Sequence, residues 1–251
     1  MIPCYNEGLK LPLHQYHSFL EKHSNVVLIF VNDGSSDDTF EILTKIEISF
    51  PEKVKLISYA KNKGKAAAVR TGVNYCAKNF SCNYIGYLDA DLSASLQECI
   101  DLRNFLSNNM QFAFGSRILK IGSVIQRKNT RFLIGRFIAT IISNMLNLSV
   151  YDTQCGCKLF TSSQAITLFE KPFISKWLFD VELFFRMIQQ YGRTNIDRVM
   201  VEVPLKRWID TEQSKVKPGY FFKLWIDLFL IKKTYETNKL EVETIKSGLI
   251  K

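Results

Sequence analysis

"YIGYLDADLS", residues 84–93, is an apolar run that ends in two aspartates one residue apart. Like charges that close repel unless something positive sits between them. A divalent cation held by hard oxygen ligands meets that need. A helix cap before "LSASLQE" would need only one of the two aspartates. The run therefore reads as a strand whose far end carries a metal site, and the flanking sequence must supply the sheet.

It does. "NVVLIFVND" (25–33) is a β-branched run closing in Asn-Asp and the turn "GSSDD", and "DTFEILTKIEISF" (38–50) has helical spacing with Ile42, Leu43, Ile46 and Ile48 on its apolar side. "KVKLISY" (53–59) predicts another strand, "GKAAAVRTGVNYCAKN" (64–79) a helix opened by glycine, and "QFAFGSR" (111–117) a strand after "YIGYLDAD". Strand–helix alternation implies an α/β fold with a mostly parallel sheet flanked by helices. Ligands in such sheets bind beyond the carboxyl ends of the strands. Asn32-Asp33, Asp89-Ala90-Asp91 and Gly115-Ser116-Arg117 all stand at such ends, which predicts one site on one edge. "MIPCYNEG" opens on what reads as the last residues of a further strand, leaving little ahead of Pro3 to pair.

With 47% hydrophobic residues among 251, a sizeable core is available and global disorder is excluded. The net charge of +9 is unevenly spread: no acidic residue lies between Asp101 and Asp152, whereas Arg103, Arg117, Lys120, Arg127, Lys128, Arg131 and Arg136 do. Such a stretch suggests an anionic partner, either phosphate groups, a lipid surface or nucleic acid. Aromatics are not interleaved with these cations as base-stacking platforms require, which argues against nucleic acid. Six cysteines without C-x-x-C spacing read as free thiols in a reducing compartment. No uncharged apolar run reaches the roughly 18 residues of a spanning helix. The expectation is an intracellular, cytoplasmic protein, peripheral at the cytoplasmic face of a membrane. Two amphipathic segments support surface attachment. In 132–150 the polar residues Arg136, Thr140, Ser143, Asn144 and Asn147 recur every three or four positions, and 219–233 is aromatic-rich and flanked by lysines. Either segment can rest in a membrane interface or pack on the protein core. We expect a domain over 1–212, including 132–150, and an amphipathic helical tail over 213–251.

Taken in order, "IPCYNEG", "VNDGSSDDT", "NKGKAAAVRTG", "YLDADLS" and "GSR" resemble the inverting glycosyltransferases of family 2, which have the Rossmann-like GT-A fold. "DTQCGCKLF" (152–160) and "WLFDVELFFR" (177–186) narrow the resemblance to the branch that moves a hexose onto a polyprenyl phosphate, and "RWIDTEQSKV" (207–216) to its dolichyl-phosphate glucosyl type. The resemblance implies a UDP-sugar donor, a polyprenyl-phosphate acceptor and Mg²⁺ or Mn²⁺. An acceptor that is a sugar hydroxyl, as in polysaccharide or glycolipid synthesis, is the alternative. Asp91 is implied as a metal ligand, with Asp89 assisting through water or leaning toward the ribose. Glu7 and Asp33 are implied to face the nucleoside, in a pocket shaped by Pro3 and Tyr5; Asp33 also suits an Asx-turn. Lys65 is placed to approach the donor or to stand as a surface lysine at a helix start. Arg117 and Arg131 offer forked donors for the acceptor phosphate, with Arg127 and Lys128 helping or facing lipid. Asp152 is implied as a general base or an acceptor-orienting carboxylate. Asp180 is expected to line the acceptor pocket, or to act as a cap or ion pair. Cys157 departs from the family pattern, which has phenylalanine there.

Overall fold

A computed structural model of the chain describes residues 1–106, 109–127, 129–210 and 223–236, with the backbone alone at 129–131. In chain order it contains β1 (Ile2–Cys4), α1 (Leu13–Lys22), β2 (Leu28–Asn32), α2 (Thr39–Ser49), β3 (Val54–Ser58), α3 (Lys65–Asn79), β4 (Tyr84–Leu88), α4 (Leu96–Asp101), β5 (Phe112–Ser116), β6 (Val124–Gln126) and α5 (Asn129–Leu146). There follow β7 (Cys157–Thr161), α6 (Ser162–Phe169), α7 (Phe179–Tyr191), β8 (Met200–Pro204), β9 (Arg207–Ile209) and a helix over 223–236, α8.

β1, β2 and β3 form a parallel ladder, with Pro3 opposite Val31 and Asn32 opposite Ser58. Short as it is, β1 pairs on both sides. The Met1 nitrogen donates to Gly86 O at 2.9 Å, and Met1 O accepts the Leu88 N–H at 3.1 Å, the spacing of a parallel ladder. This joins the strands into the order β3-β2-β1-β4-β7-β5-β8. β7 runs antiparallel to both β4 and β5, so those two and β8 keep the direction of β1–β3. The sheet is thus mixed at one strand. "CGCKLF" was read from sequence only as a motif, yet four of the five residues of β7 are buried, which is the pattern of a strand covered on both faces.

Helices pack on both sides. Against one face, α3, α6 and α7 close over Phe112 and Phe160, stacked at 4.3 Å, with Phe184 of α7 edge-on to Phe112 at 5.7 Å. Burying each such ring contributes roughly 1.5–3 kcal/mol. Against the other, Tyr16 and Leu20 of α1, Leu43 and Ile46 of α2 and Leu96 of α4 form a second core. Ile48, expected on the apolar side of α2, is exposed instead, because Leu43 and Ile46 point inward one turn apart.

Each of the two amphipathic segments packs one side on the core and leaves the other exposed. Ile142 and Leu146 of α5 are fully buried while Leu133 and Phe137 are exposed. Leu224, Leu228, Ile231 and Tyr235 of α8 enter the same core as α7, whereas Trp225, Ile226, Phe229 and Leu230 face solvent. The part of the expected tail that is described is therefore built into the domain. No helix among the described residues is long and apolar enough to cross a membrane.

Candidate active site

The common strand direction brings the ends of β1, β2, β4 and β5 to one edge, where the start of β7 also lies. Two loops are fastened together there. Asn6, held at a positive φ of 52°, accepts the Ser36 N–H at 2.9 Å and donates its own N–H to Ser35 Oγ at 3.0 Å. The Glu7 N–H reaches Thr39 Oγ1 at 2.7 Å, and Gly8 N–H reaches Asp37 Oδ2 at 3.0 Å. Asp33, buried at the end of β2, accepts the Lys63 and Gly64 N–H groups at 2.7 and 2.9 Å, one on each oxygen. Burial pushes its carboxyl up, and the two amide bonds oppose that shift. Its bonds run to the loop before α3 and not to its own turn, unlike an Asx-turn. Pro3 sits within β1, Tyr5 is exposed just beyond it, and Glu7 is half-buried.

At the end of β4, Lys65 Nζ stands 2.6 Å from Asp89 Oδ1. The acidic neighbours Asp89, Asp180 and Asp91 hold the ammonium above the ordinary lysine value against the opposing effect of burial. Asp89 Oδ1 is buried, and its close partner is that ammonium. Its carboxylate lies flat on Gly156: a Cβ there would fall 2.1 Å from Oδ2, and the Asp89 N–H donates to Gly156 O at 3.0 Å. Tyr16 OH pins the intervening Ala90 carbonyl at 2.9 Å, Leu92 takes a φ of +50°, and Asp91 Oδ1 accepts the Ser93 N–H at 3.0 Å. The donor set suits a small hard cation: two carboxylates flank Ala90, with Asp89 Oδ1 taken up by the Lys65 ammonium and its other oxygen and Asp91 beside it. Among the described residues no cluster of three or more His, Cys, Asp or Glu exists. The remaining ligands would be substrate oxygens and water, as is usual for Mg²⁺.

On the other side of the start of β7, Arg117 grips Asp152 with Nε on Oδ2 at 2.6 Å and Nη2 on Oδ1 at 2.8 Å. The Arg117 N–H adds a third bond at 3.1 Å. Asp152 is buried, which taken alone raises its carboxyl, but the guanidinium outweighs this and lowers it to about 2. Glu202 of β8 carries the segment by accepting the Tyr151 and Asp152 N–H groups at 2.9 and 2.8 Å. Arg117 also stacks over Trp208 at 4.9 Å. Arg127 sits close enough to Arg117 to be lowered by burial first and by that like charge second, and its buried Nε has no hydrogen-bond partner. Two guanidiniums with an unsatisfied donor between fixed walls make a receptor for an anion.

Two expectations change in character. Asp152 is held ionised by the Arg117 guanidinium, which lowers its carboxyl to about 2 and makes it a weak base, and of its two readings the geometry bears on the orienting one. Asp180 does not line an open pocket. It is buried, accepts from Lys158 Nζ at 2.6 Å and from Tyr87 OH, and Lys158 donates as well to Cys155 O at 2.5 Å. The ion-pair alternative therefore describes it. Lys128 lies outside the described residues, as does the side chain of Arg131, whose backbone belongs to α5.

Sequence reasoning missed Gly156, Lys158, Tyr87 and Glu202. Lys158 left a trace: a lysine at a core-facing position of an apolar strand needs a buried carboxylate. Gly156 and Glu202 left none that one sequence can display.

Comparison with known proteins supplies the family. The family model for glycosyl transferase family 2 matches residues 1–169. The dolichyl-phosphate beta-glucosyltransferase of Homo sapiens is 30% identical over 262 residues, spanning 97% of this chain and 77% of its own. That of Mus musculus is 31% identical, spanning 95% and 75%. Among solved structures, glucosyl-3-phosphoglycerate synthase from Mycobacterium tuberculosis, in complex with Mn²⁺, uridine-diphosphate and glucosyl-3-phosphoglycerate, superposes with a TM-score of 0.65 at 17% identity, covering 92% of this chain and 77% of that one. Mannosyl-3-phosphoglycerate synthase from Rubrobacter xylanophilus gives 0.63 at 13% identity, covering 97% and 73%. By its family match over most of its length, on a sheet of the GT-A type, this chain belongs to glycosyltransferase family 2.

Proposed function

We propose that the protein transfers glucose from UDP-glucose to a dolichyl-type polyprenyl phosphate with inversion. The observation that carries this is the loop 152–157, which touches both halves of the site. Asp152 at its start fixes Arg117, and Gly156 near its end bears the Asp89 carboxylate. A carboxylate pair suited to a metal–diphosphate and a guanidinium pair suited to a phosphate monoester thus share one support. The dolichyl-phosphate beta-glucosyltransferases related to it supply the identity of sugar and acceptor.

Arg117 and Arg127, with Arg131 as a further candidate, bind the acceptor phosphate and turn one oxygen toward the anomeric carbon. That oxygen forms the new bond as the carbon–oxygen bond to the diphosphate breaks, the electron pair leaving on UDP. Inversion in one displacement converts an α-linked donor into a β-linked product. Asp91 and Asp89 would hold a Mg²⁺ or Mn²⁺ ion, which when bound supplies Lewis-acid stabilisation of the leaving diphosphate. Lys65 adds positive charge on the same side. Glu7 and Asp33, with Pro3 and Tyr5, form the nucleoside end, where carboxylates suit N–H and O–H donors. Asp152 orients Arg117. An acceptor phosphate is already an anion and needs no base, so the lowered carboxyl of Asp152, a weak base, suits it; a sugar hydroxyl calls for a stronger one. In this reading the exposed apolar sides of α5 and α8 rest on a membrane surface, and the enzyme works at its cytoplasmic face.

The test is transfer of labelled glucose from UDP-glucose into organic-extractable lipid with purified protein, a short polyprenyl phosphate and Mg²⁺ or Mn²⁺. Label in the organic phase that is lost with chelator and with Asp91→Asn is expected. UDP release only with a glycan acceptor would replace the acceptor, and silence with both would sink the reading.

A further inference from the structure

A chain of buried polar contacts runs from the C-terminal helix to the donor edge. Asp227 of α8, largely buried, accepts from Ser175 Oγ at 2.6 Å. The same Ser175 oxygen accepts the N–H groups of Trp177 and Leu178 at 3.2 and 2.9 Å. Glu182 of α7, fully buried, takes the N–H groups of Ile174 and Ser175 at 3.0 and 2.9 Å. The Lys176 carbonyl accepts the Ala66 N–H at 3.0 Å, which docks this turn onto the first turn of α3 beside Lys65. The turn is therefore fixed from three sides, by α7, α8 and α3.

What it presents is an indole. The Trp177 ring centre lies 5.6 Å from Lys65 Nζ, and that ammonium is 2.6 Å from Asp89. Trp177 is 38% exposed, so an apolar surface remains open beside the charged pair. Fixing a half-open aromatic with this many bonds is unlike ordinary core packing, in which the ring itself would be covered. Ligand pockets combine such apolar walls with a few placed polar groups.

We infer that Trp177 is the wall on which the apolar face of the transferred hexose rests, and that Ser175 and Asp227 are positioning residues that set it there. This deepens the proposed donor site and rests on it. A pyranose with equatorial hydroxyls turns its C–H groups toward its two faces, and a flat ring covers one of them. The Lys65 ammonium, over the indole 5.6 Å from its centre, and its partner Asp89 are the charged groups beside this wall that can meet hydroxyls. Uridine diphosphate lacks the sugar and has nothing to lay on the indole. Trp177 therefore separates sugar nucleotide from nucleotide, and α8 belongs to the catalytic unit through Asp227.

Calorimetric titration of the full chain with UDP and, separately, UDP-glucose in Mn²⁺ tests this on wild type, Trp177→Ala, Trp177→Phe and Asp227→Asn. Trp177→Ala should weaken UDP-glucose tenfold or more and leave UDP within twofold, with Trp177→Phe restoring most of the loss. Asp227→Asn should weaken UDP-glucose at least threefold, again sparing UDP. Equal losses for both ligands, or an unchanged UDP-glucose affinity in Trp177→Ala, would overturn the sugar wall. Unchanged binding in Asp227→Asn would overturn the positioning role. A wild type that binds neither nucleotide would overturn the donor reading itself, an outcome distinct from all of these.

Discussion

Arg117 and Asp152 meet through two parallel hydrogen bonds of 2.6 and 2.8 Å, with the Arg117 N–H closing a third contact to the same carboxylate. A fork-to-fork pair fixes the plane of the guanidinium, and a buried one is costly to break from either side. Arg117 stands beside Arg127, so under the proposed function the plane set by Asp152 decides where an incoming phosphate is held. Asp152→Asn keeps the shape and loses the charge. It should lower kcat/KM for polyprenyl phosphate by about a hundredfold, mainly through KM, and leave the affinity for UDP within twofold. Steady-state kinetics with varied acceptor check this; a fall in kcat alone would point to a base.

The same pair fixes a pH dependence. The Asp152 carboxyl titrates near 2 in the folded chain against an ordinary value of 3.8. A depressed carboxyl stabilises the fold above its unfolded value and loses that contribution as pH falls toward the folded one. About 2 kcal/mol should therefore be present above pH 4 and disappear between about pH 4 and 2. Denaturant titrations at pH 7, 4 and 3 should show the drop in wild type and a much smaller one in Asp152→Asn.

The strand ends were legible because their chemistry is local. Asp33, Asp89 and Arg117 each follow an apolar run, and a parallel sheet sends such ends to one edge. Their partners were not legible, because they are set by pairings distant in sequence. Asp33 reaches Lys63 and Gly64, Asp180 reaches Lys158, and Arg117 reaches Asp152. β7 was hidden for a related reason. A strand inserted antiparallel between β4 and β5 has no helix crossover to announce it. α8 showed its amphipathic pattern, but one pattern suits a core and a membrane, and only the structure shows which side is buried.

Gly156 should tolerate no side chain. Its Cβ would fall 2.1 Å from Asp89 Oδ2 and 2.3 Å from Cγ. The carboxylate must swing away, disturbing both its pairing with Lys65 and its place beside Asp91. Gly156→Ala is expected to raise the Mn²⁺ or Mg²⁺ concentration needed for half-maximal transfer at least tenfold. Activity measured across a metal titration decides it, and an unchanged midpoint would show that the carboxylate is not held for a cation.

Lys158 is fully buried, and its ammonium is shared by Asp180 and the Cys155 carbonyl. Lys158→Met leaves Asp180 with Tyr87 and no cation, which should cost about 3–5 kcal/mol of stability. The double change Lys158→Met with Asp180→Leu removes both charges and should recover most of that loss. Urea unfolding of the three variants checks the order. A single variant as stable as wild type would mean that the ion pair contributes nothing net.

The exposed side of α8 provides the last test. Trp225 and Phe229 are 43% and 65% exposed, on the face away from Leu224, Leu228 and Ile231. Apolar rings on one side of a helix whose other side is fixed in the core suit an interfacial surface. Replacing Trp225 and Phe229 by serine removes apolar area without touching the core, at roughly 1.5–3 kcal/mol of membrane contact per ring. Sedimentation with vesicles containing anionic lipid should therefore fall at least tenfold, while thermal unfolding and transfer to a short, water-soluble polyprenyl phosphate stay near wild type. Equal vesicle binding by the double variant would place the membrane contact elsewhere on the molecule.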